Sequence, residues 1–453
     1  MKFLIKAVSR TNEEREFWYD NETSGLFNAN GSYLNLEYVE KEYAPHPVIN
    51  KNQPGTKTKD IAKLKIQLGL SCNYECSYCS QRFVARADET NKNDADLFLS
   101  KLPSWFNGGS DGLGTGVVIE FWGGEPFVYW KTLKPLAEEL RKKYPNALFT
   151  LVTNGSMLSI EKNDWLLNLG FNIGLSHDGP GQHVRGPDPF DDPEKFAAIL
   201  DLWHKLGPLN RMSFNSMVTK TNSSRLAISE WFQNKLGFEV PIGEGGLIDP
   251  YDDGGATNSF SDPADHVTYR KNSFFEIQTG KLTNFNVINN KLNDFIKSIL
   301  TKRPSSAVGQ KCGMDRSDNI AVDLKGNVLT CQNESPVEVS FNGESHLIGS
   351  VDDFDNIKLK SSTHWSFRDN CAKCPVLQLC KGSCMFLHGP LWELGCDNSY
   401  SDNIPYFMSA IELLTGYIPY YIEGALPDSR KDIVGLVNGI PTKKSTVIPI
   451  VPV

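Results

Sequence analysis

The chain has no long run of lysine and arginine. Its 46 basic residues are outnumbered by 54 acidic ones, for a net charge of −8. That balance excludes the broad basic surface a phosphate backbone demands, so no nucleic-acid partner is expected. No stretch approaches the roughly 20 apolar residues that span a bilayer. The opening residues do not read as a secretion signal, because Lys6 and Arg10 cut their apolar run short. No membrane partner and a cytoplasmic location follow as expectations. The eight histidines show no metal-binding spacing. The glycine-rich residues 108–116 lack a following Gly-Lys-Ser/Thr and so form no P-loop. Low-complexity sequence is also missing. A hydrophobic share of 40% over 453 residues allows one large core with one or two satellite domains.

What the chain does have is ten cysteines in an uneven distribution. Cys72, Cys76 and Cys79 lie within eight residues, the next 232 positions hold none, and Cys312, Cys331, Cys371, Cys374, Cys380, Cys384 and Cys396 fall within 85. A disulfide framework has no reason to leave the largest part of a protein empty, and clustered thiols in a chain without a secretion signal more often bind metal.

Residues 1–60 read as a β-rich segment, with hairpin material at 17–19 and 32–38 and a proline-containing linker after them. From Leu64 onward strand and helix signals alternate. Strands are expected at 64–70, 117–122, 148–153, 171–176, 211–219 and 238–242, with helices at 94–102, 130–144, 161–169, 193–206 and 224–235 between them. Asp192 before Pro193 is a good helix start. Repeated βα units imply a parallel sheet, open or closed as a partial barrel, with chemistry at the strand ends. A helical stretch over 263–301 follows, then the cysteine-rich segment, then one amphipathic helix at 405–415 and a Val/Ile/Pro tail. The division expected is 1–60, 61–250, 251–305, 306–400 and 401–453.

Cys72, Cys76 and Cys79 have the spacing C-x-x-x-C-x-x-C directly after the first strand. Three thiolates on one short loop can hold three irons of a [4Fe–4S] cube and leave the fourth open; zinc or a disulfide is the alternative. With Tyr78 before its third cysteine, the motif resembles that of the radical S-adenosylmethionine (SAM) superfamily. The resemblance implies that SAM binds the open iron and is reductively cleaved to a 5′-deoxyadenosyl radical that abstracts hydrogen from a C–H bond. It also implies an electron donor of the flavodoxin or ferredoxin type. Gly123, Gly124 and Glu125 look like the family's segment for the SAM amino group. Asn154 ends the third strand in Thr-Asn-Gly, Ser176 opens a Ser-x-Asp-Gly-Pro that contacts SAM, and Arg185 matches a partner for the SAM carboxylate. His177, inside that motif, reads as structural. Residues 243–246 either line the cavity mouth or form an ordinary turn, and Tyr417, Tyr420 and Tyr421 read as packing.

Seven cysteines for two metal sites leave one ligand short, and zinc ribbons are the competing reading. The spacing matches the SPASM extension of radical SAM enzymes. That resemblance implies a partial (β/α)6 TIM-like barrel followed by a cysteine-rich SPASM domain with two auxiliary Fe–S clusters of the [4Fe–4S] type. Cys371, Cys374, Cys380 and Cys396 would hold the outer cluster; Cys312, Cys331 and Cys384 would hold the inner one. Sulfatase maturases of the family carry another cysteine shortly before the first, where this chain has Val308 to Lys311, so the fourth inner ligand is open. They also place an aspartate base directly after the cysteine matching Cys331. Here Gln332 stands there, and an amide does not accept a proton at physiological pH. Asp178, Asp323 and Glu334 are the acidic candidates for a catalytic role.

The resulting expectation is a maturase of a ribosomally made precursor peptide that forms a cyclophane carbon–carbon, ether or thioether cross-link. Leader binding is expected by strand addition to the 18–38 hairpin region or by a separate leader-recognition protein. The alternatives are a sulfatase-maturase-like side-chain dehydrogenase and, from another class, a non-catalytic Fe–S or zinc protein. Fe–S clusters exposed to solvent need a reducing setting, which fits the cytoplasmic expectation.

Overall fold

In the computed structural model, residues 1–85, 90–340, 343–360 and 362–435 are described. An N-terminal meander of β1 (Lys2–Ser9), β2 (Glu14–Asp20) and β3 (Gly25–Asn28) is antiparallel. The expected hairpin material at 32–38 is not a strand. It folds back along β3, where the Leu34 amide donates to the Leu26 carbonyl at 3.0 Å and the Asn28 amide to Ser32 at 2.8 Å. These bonds occupy the outer edge of β3, and β2 is paired on both sides. Residues 32–34 thus take up part of the edge of β3.

Next come β4 (Lys63–Gln67), β5 (Val118–Trp122), β6 (Leu148–Thr153), β7 (Phe171–Ser176), β8 (Met212–Asn215) and β9 (Ile242–Glu244), each parallel to the last. The helices between them are α1 (Lys92–Trp105), α2 (Trp130–Lys143), α3 (Ile160–Asn168), α4 (Pro193–Leu206) and α5 (Arg225–Leu236). Asp192 caps α4 by accepting from the Glu194 and Lys195 amides. The last strand starts later than 238 because Pro241 has no N–H for the ladder.

Parallel strands covered on both faces usually read as continuous apolar runs. Here they alternate. Leu64, Ile66, Ile119, Phe121, Phe149, Leu151, Phe171 and Leu175 are fully buried in one core with Leu133, Leu136 and Leu140 of α2. The opposite face carries Lys63, Lys65, Glu120, Ser176, Ser213 and Asn215, which line a cavity. The six expected strands are not the whole sheet. β10 (Asn319–Asp323), from the cysteine-rich segment, pairs parallel with β4, and β11 (Asn327–Leu329) and β12 (Leu347–Ser350) extend it antiparallel. Strand order is β12-β11-β10-β4-β5-β6-β7-β8-β9.

The helical connector supplies α6 (Asp253–Asn258), α7 (Pro263–Gln278) and α8 (Asn286–Leu300); α9 (Leu377–Cys380) lies among the cysteines. The helix expected at 405–415 is only the second half of α10 (Gly389–Thr415), with Pro405 inside it. Its residues from Asn398 to Glu412 are buried, not amphipathic, because α7, α8 and β13 (Tyr417–Glu423) pack around it. β13 returns to pair with β1 and completes the four-stranded sheet, with Tyr417 edge-on to Phe17 at 5.7 Å. Tyr417, Tyr420 and Tyr421 all sit in this strand. Among the described residues no helix is long and apolar enough to cross a membrane.

Candidate functional site

The first cysteine loop follows β4 and is pinned on every side. The Ser77 amide donates to the Val184 carbonyl at 2.9 Å and the Tyr74 hydroxyl to Pro187 at 2.7 Å. Asn73 bonds Asn154 at 2.9 Å and Ser156 at 2.8 Å. Backbone N–H groups point at sulfur: Tyr74 N lies 3.4 Å from Cys72 Sγ and Gln81 N 3.4 Å from Cys79 Sγ. Gly124 receives the loop's own backbone. A Cβ there would collide with Ser71 and with the Leu70 carbonyl at 2.6 Å, so no other residue fits without moving Cys72.

Glu125 is 1% exposed, and three groups donate to its carboxylate: the Phe127 amide at 3.1 Å, Thr153 Oγ1 at 2.7 Å and the Asn154 amide at 2.8 Å. It therefore ties the end of β5 to the end of β6. A carboxylate has about four acceptor sites, so one is left over. Asp178 accepts from the Tyr78 hydroxyl and, at 2.9 Å, from the Met217 amide. Its charged neighbour is Arg185, whose Nη1 lies 3.6 Å from Asp178 Oδ1 and donates to Tyr78 at 2.9 Å. Burial works against ionisation of Arg185, but Tyr78 and Asp178 hold its guanidinium charged. His177 is fully buried between Asp188 at 2.9 Å and the Gly179 amide at 3.0 Å, against Trp231, as a structural residue should be.

These elements surround a cavity of about 1040 Å³. Tyr78, Gly123, Gly124, Glu125, Asn154, Ser176 and Arg185, all expected from the motifs, line it together with Cys72, Cys76 and Cys79. Gly243 also lines it. Of the three acidic candidates, none is among the lining residues. Asp178 holds Tyr78 and Arg185. Asp323 spends its oxygens on the β10–β11 turn, accepting from the Lys325 and Asn327 amides at 2.9 Å and the Asn327 side chain at 2.7 Å. Burial, with Glu338 nearby, pushes the Glu334 carboxyl up to about 7, and His346 lies 3.8 Å from it.

The other cysteines fall into two groups. Burial raises the Cys371 thiol, and the next influences on it are Cys380, Cys396 and Cys374. Burial likewise raises Cys331, which feels Cys312 and Cys384, and Cys384 in turn feels Cys312. The ten cysteines, all unpaired as thiols, thus gather as three, four and three. Among the described residues no three are close enough to share one metal ion. A cubane cluster does not ask for that, because each thiolate binds a different iron. Soft thiols in these groups fit Fe–S clusters. Gln332 lines the cavity, with its Oε1 3.5 Å from Cys331 Sγ and its carbonyl accepting from Gln67 at 2.7 Å.

Three of the cavity residues that motif reading missed bear on the chemistry. Tyr251 hydrogen-bonds Cys384 and so sits between the cavity and the inner cysteine group. Lys63 and Lys65 are the others. Only the polar alternation of β4 could have revealed them.

A parallel sheet whose strand ends bring a three-cysteine loop, Gly-Gly-Glu, Asn-Gly and Ser-x-Asp turns to one cavity is what the resemblance to radical SAM enzymes anticipates. No family model matches the chain. It is 24% identical over 344 residues to the Cysteine-type anaerobic sulfatase-maturating enzyme of Clostridium perfringens, spanning 69% of this chain and 85% of that protein. It is 22% identical over 363 residues to the Radical SAM cyclopropyl synthase TigE of Paramaledivibacter caminithermalis, spanning 74% and 70%. The solved structure of native anSMEcpe with bound AdoMet has a TM-score of 0.54 and 20% identity, covering 78% of this chain and 99% of that one, a likeness of fold. The comparisons bear out the resemblance: the chain is an enzyme similar to radical SAM enzymes.

Proposed function

We propose that this enzyme modifies a ribosomally made precursor peptide, removing a side-chain hydrogen and closing an intramolecular carbon–carbon, ether or thioether cross-link. The observation that carries the reading is Gln332 in the cavity wall, at the position where the sulfatase maturases bear an aspartate. An amide there holds and orients but takes no proton, so a dehydrogenation that needs a base at this point is disfavoured.

Cys72, Cys76 and Cys79 would hold the [4Fe–4S] cluster, and Tyr78, Gly123, Gly124, Glu125, Asn154, Ser176 and Arg185 would frame SAM. Bound together, cluster and SAM supply hydrogen-atom abstraction from an unactivated C–H bond. The chain's own residues do the rest. Asp178 and Tyr78 hold the Arg185 guanidinium ready for the SAM carboxylate, and the free acceptor capacity of Glu125 suits an ammonium. Cys371, Cys374, Cys380 and Cys396 would hold an outer auxiliary cluster, and Cys312, Cys331 and Cys384 an inner one. Residues 61–250 would be the SAM-binding partial barrel and 306–400 the SPASM domain. Residues 1–60, 251–305 and 401–435 would be its β-rich, helical and C-terminal supports; the expected Val/Ile/Pro tail to 453 lies outside the described residues. Electrons would come from a flavodoxin- or ferredoxin-type donor, and the leader would be held by strand addition in the 18–38 region or by a separate leader-recognition protein.

The test is anaerobic. The cluster-loaded enzyme is reduced with SAM and a co-encoded peptide, and 5′-deoxyadenosine and peptide masses are measured. Loss of two hydrogens that fragments place across two residues supports the cross-link. An aldehyde on one residue would establish instead the dehydrogenase reading that the likeness to the Clostridium enzyme favours. No 5′-deoxyadenosine at all would overturn both.

A further inference from the structure

We propose that the floor of the cavity is a carboxylate-binding subsite, built by Lys65 and Lys63 with Glu120 as internal counter-charge, that anchors an acidic group of the substrate. The inference rests on the peptide reading above, because the anions a peptide offers are carboxylates.

Lys63 and Lys65 alternate along β4 on the cavity face, and Lys65 stands directly opposite Glu120 of β5 in the register. Lysine is almost never buried without a partner. Yet Lys65 is only 6% exposed. Glu120 serves the other lysine better: its Oε2 is 2.8 Å from Lys63 Nζ but 3.8 Å from Lys65 Nζ. The second distance is beyond hydrogen-bond reach, and Lys65 has no closer acceptor among the described residues. An ammonium with three donors is thus held on a buried floor, beside one carboxylate shared by two cations. The cluster carries one net positive charge, and its low-dielectric walls strengthen attraction for an anion. Ser213 and Asn215 of β8 line the same cavity and add neutral polar groups.

Position gives the subsite its use. Lys65 lies in the body of β4, whereas Cys72, Gly124, Asn154 and Ser176 lie at or beyond strand ends. A carboxylate on Lys65 would anchor the substrate from below and hold a neighbouring C–H bond up toward the SAM-binding turns. The shared chemistry is a carboxylate, from an aspartate or glutamate side chain or from the peptide's C-terminus.

The test uses the cluster-loaded, SAM-bound enzyme and three small probes: N-acetyl-aspartate methylamide, its asparagine counterpart, and N-acetylglycine. Binding is read by NMR line broadening at equal iron content. At least one carboxylate probe should bind about tenfold more tightly than the asparagine compound, the gain of a charge-assisted hydrogen bond. Which carboxylate wins identifies the source. Lys65→Met should erase the preference. Glu120→Gln should strengthen it, and this opposite sign keeps the idea testable if Lys65→Met folds poorly. Equal binding of all three probes would overturn the proposal. So would a carboxylate preference that survives Lys65→Met while the midpoint potential of an auxiliary cluster shifts, because Lys65 would then serve only Cys312, which feels its charge. If the preference holds but no peptide is modified, the maturase reading fails and the subsite stands.

Discussion

Gly124 and Glu125 are single residues that each do two things. The motif pointed both at SAM, yet Gly124 also admits the Ser71 backbone and Glu125 also joins two strand ends. The motif's residue types were legible; these neighbours were not, because they come from other loops. Gly124→Ala should displace Cys72, and the reconstituted protein should lose about four irons per chain, checked by iron analysis and electron paramagnetic resonance. Glu125→Gln replaces an acceptor by an amide N–H facing donors. Denaturant unfolding should show a loss of about 1–3 kcal/mol. Asn21 acts similarly at long range. Its side chain donates to the carbonyls of Ala372 at 3.0 Å and Cys374 at 2.8 Å, so the N-terminal sheet props the outer cysteine group.

At the scale of elements, α10 shows where pattern reading stops. Proline is common at a helix start, and the expected helix begins at 405. Inside a helix Pro405 leaves the Ser401 carbonyl without its amide partner. The helix persists because its neighbours hold it. Asp402, one turn away, accepts from Arg225 of α5 at 2.5 Å, from Lys291 of α8 at 2.8 Å and from Tyr269 of α7 at 2.9 Å. Burial works against its ionisation, but Lys291 and Arg225 outweigh burial and hold its carboxyl well below the usual range. A depressed acid contributes stability that is present above its unfolded value, about 3.9, and is lost as pH falls toward the folded one. Wild-type unfolding free energy should therefore fall below about pH 4 more steeply than that of Asp402→Asn. At neutral pH, Asp402→Ala should cost about 3–5 kcal/mol, since it strands the buried Arg225 and the half-buried Lys291. Equal acid slopes for the two proteins would contradict this account.

Over the whole molecule, the grouping of cysteines as three, four and three follows from spacing and resemblance, and the electrostatic influences among the thiols run within the same sets. Cys380 and Cys384 are close in sequence but fall in different groups. Cys371→Ala with Cys380→Ala should lose no more iron than either alone, about four per chain, whereas Cys380→Ala with Cys384→Ala should lose about eight. The βα alternation was legible because it repeats locally. The pairings of β4 with β10 and of β1 with β13 were not, since no local pattern names a distant partner. The β4–β10 pairing also sets a timetable for synthesis. The strand leading to Cys72 gains β5 early, but its other neighbour lies roughly 250 residues further on. At about 5–20 residues per second, the ribosome leaves that edge bare for on the order of 12–50 s. The nascent protein thus presents its first three thiols well before the auxiliary cysteines exist. A cell short of iron–sulfur assembly factors would meet an unpaired strand beside an empty loop, a ready target for chaperones or aggregation.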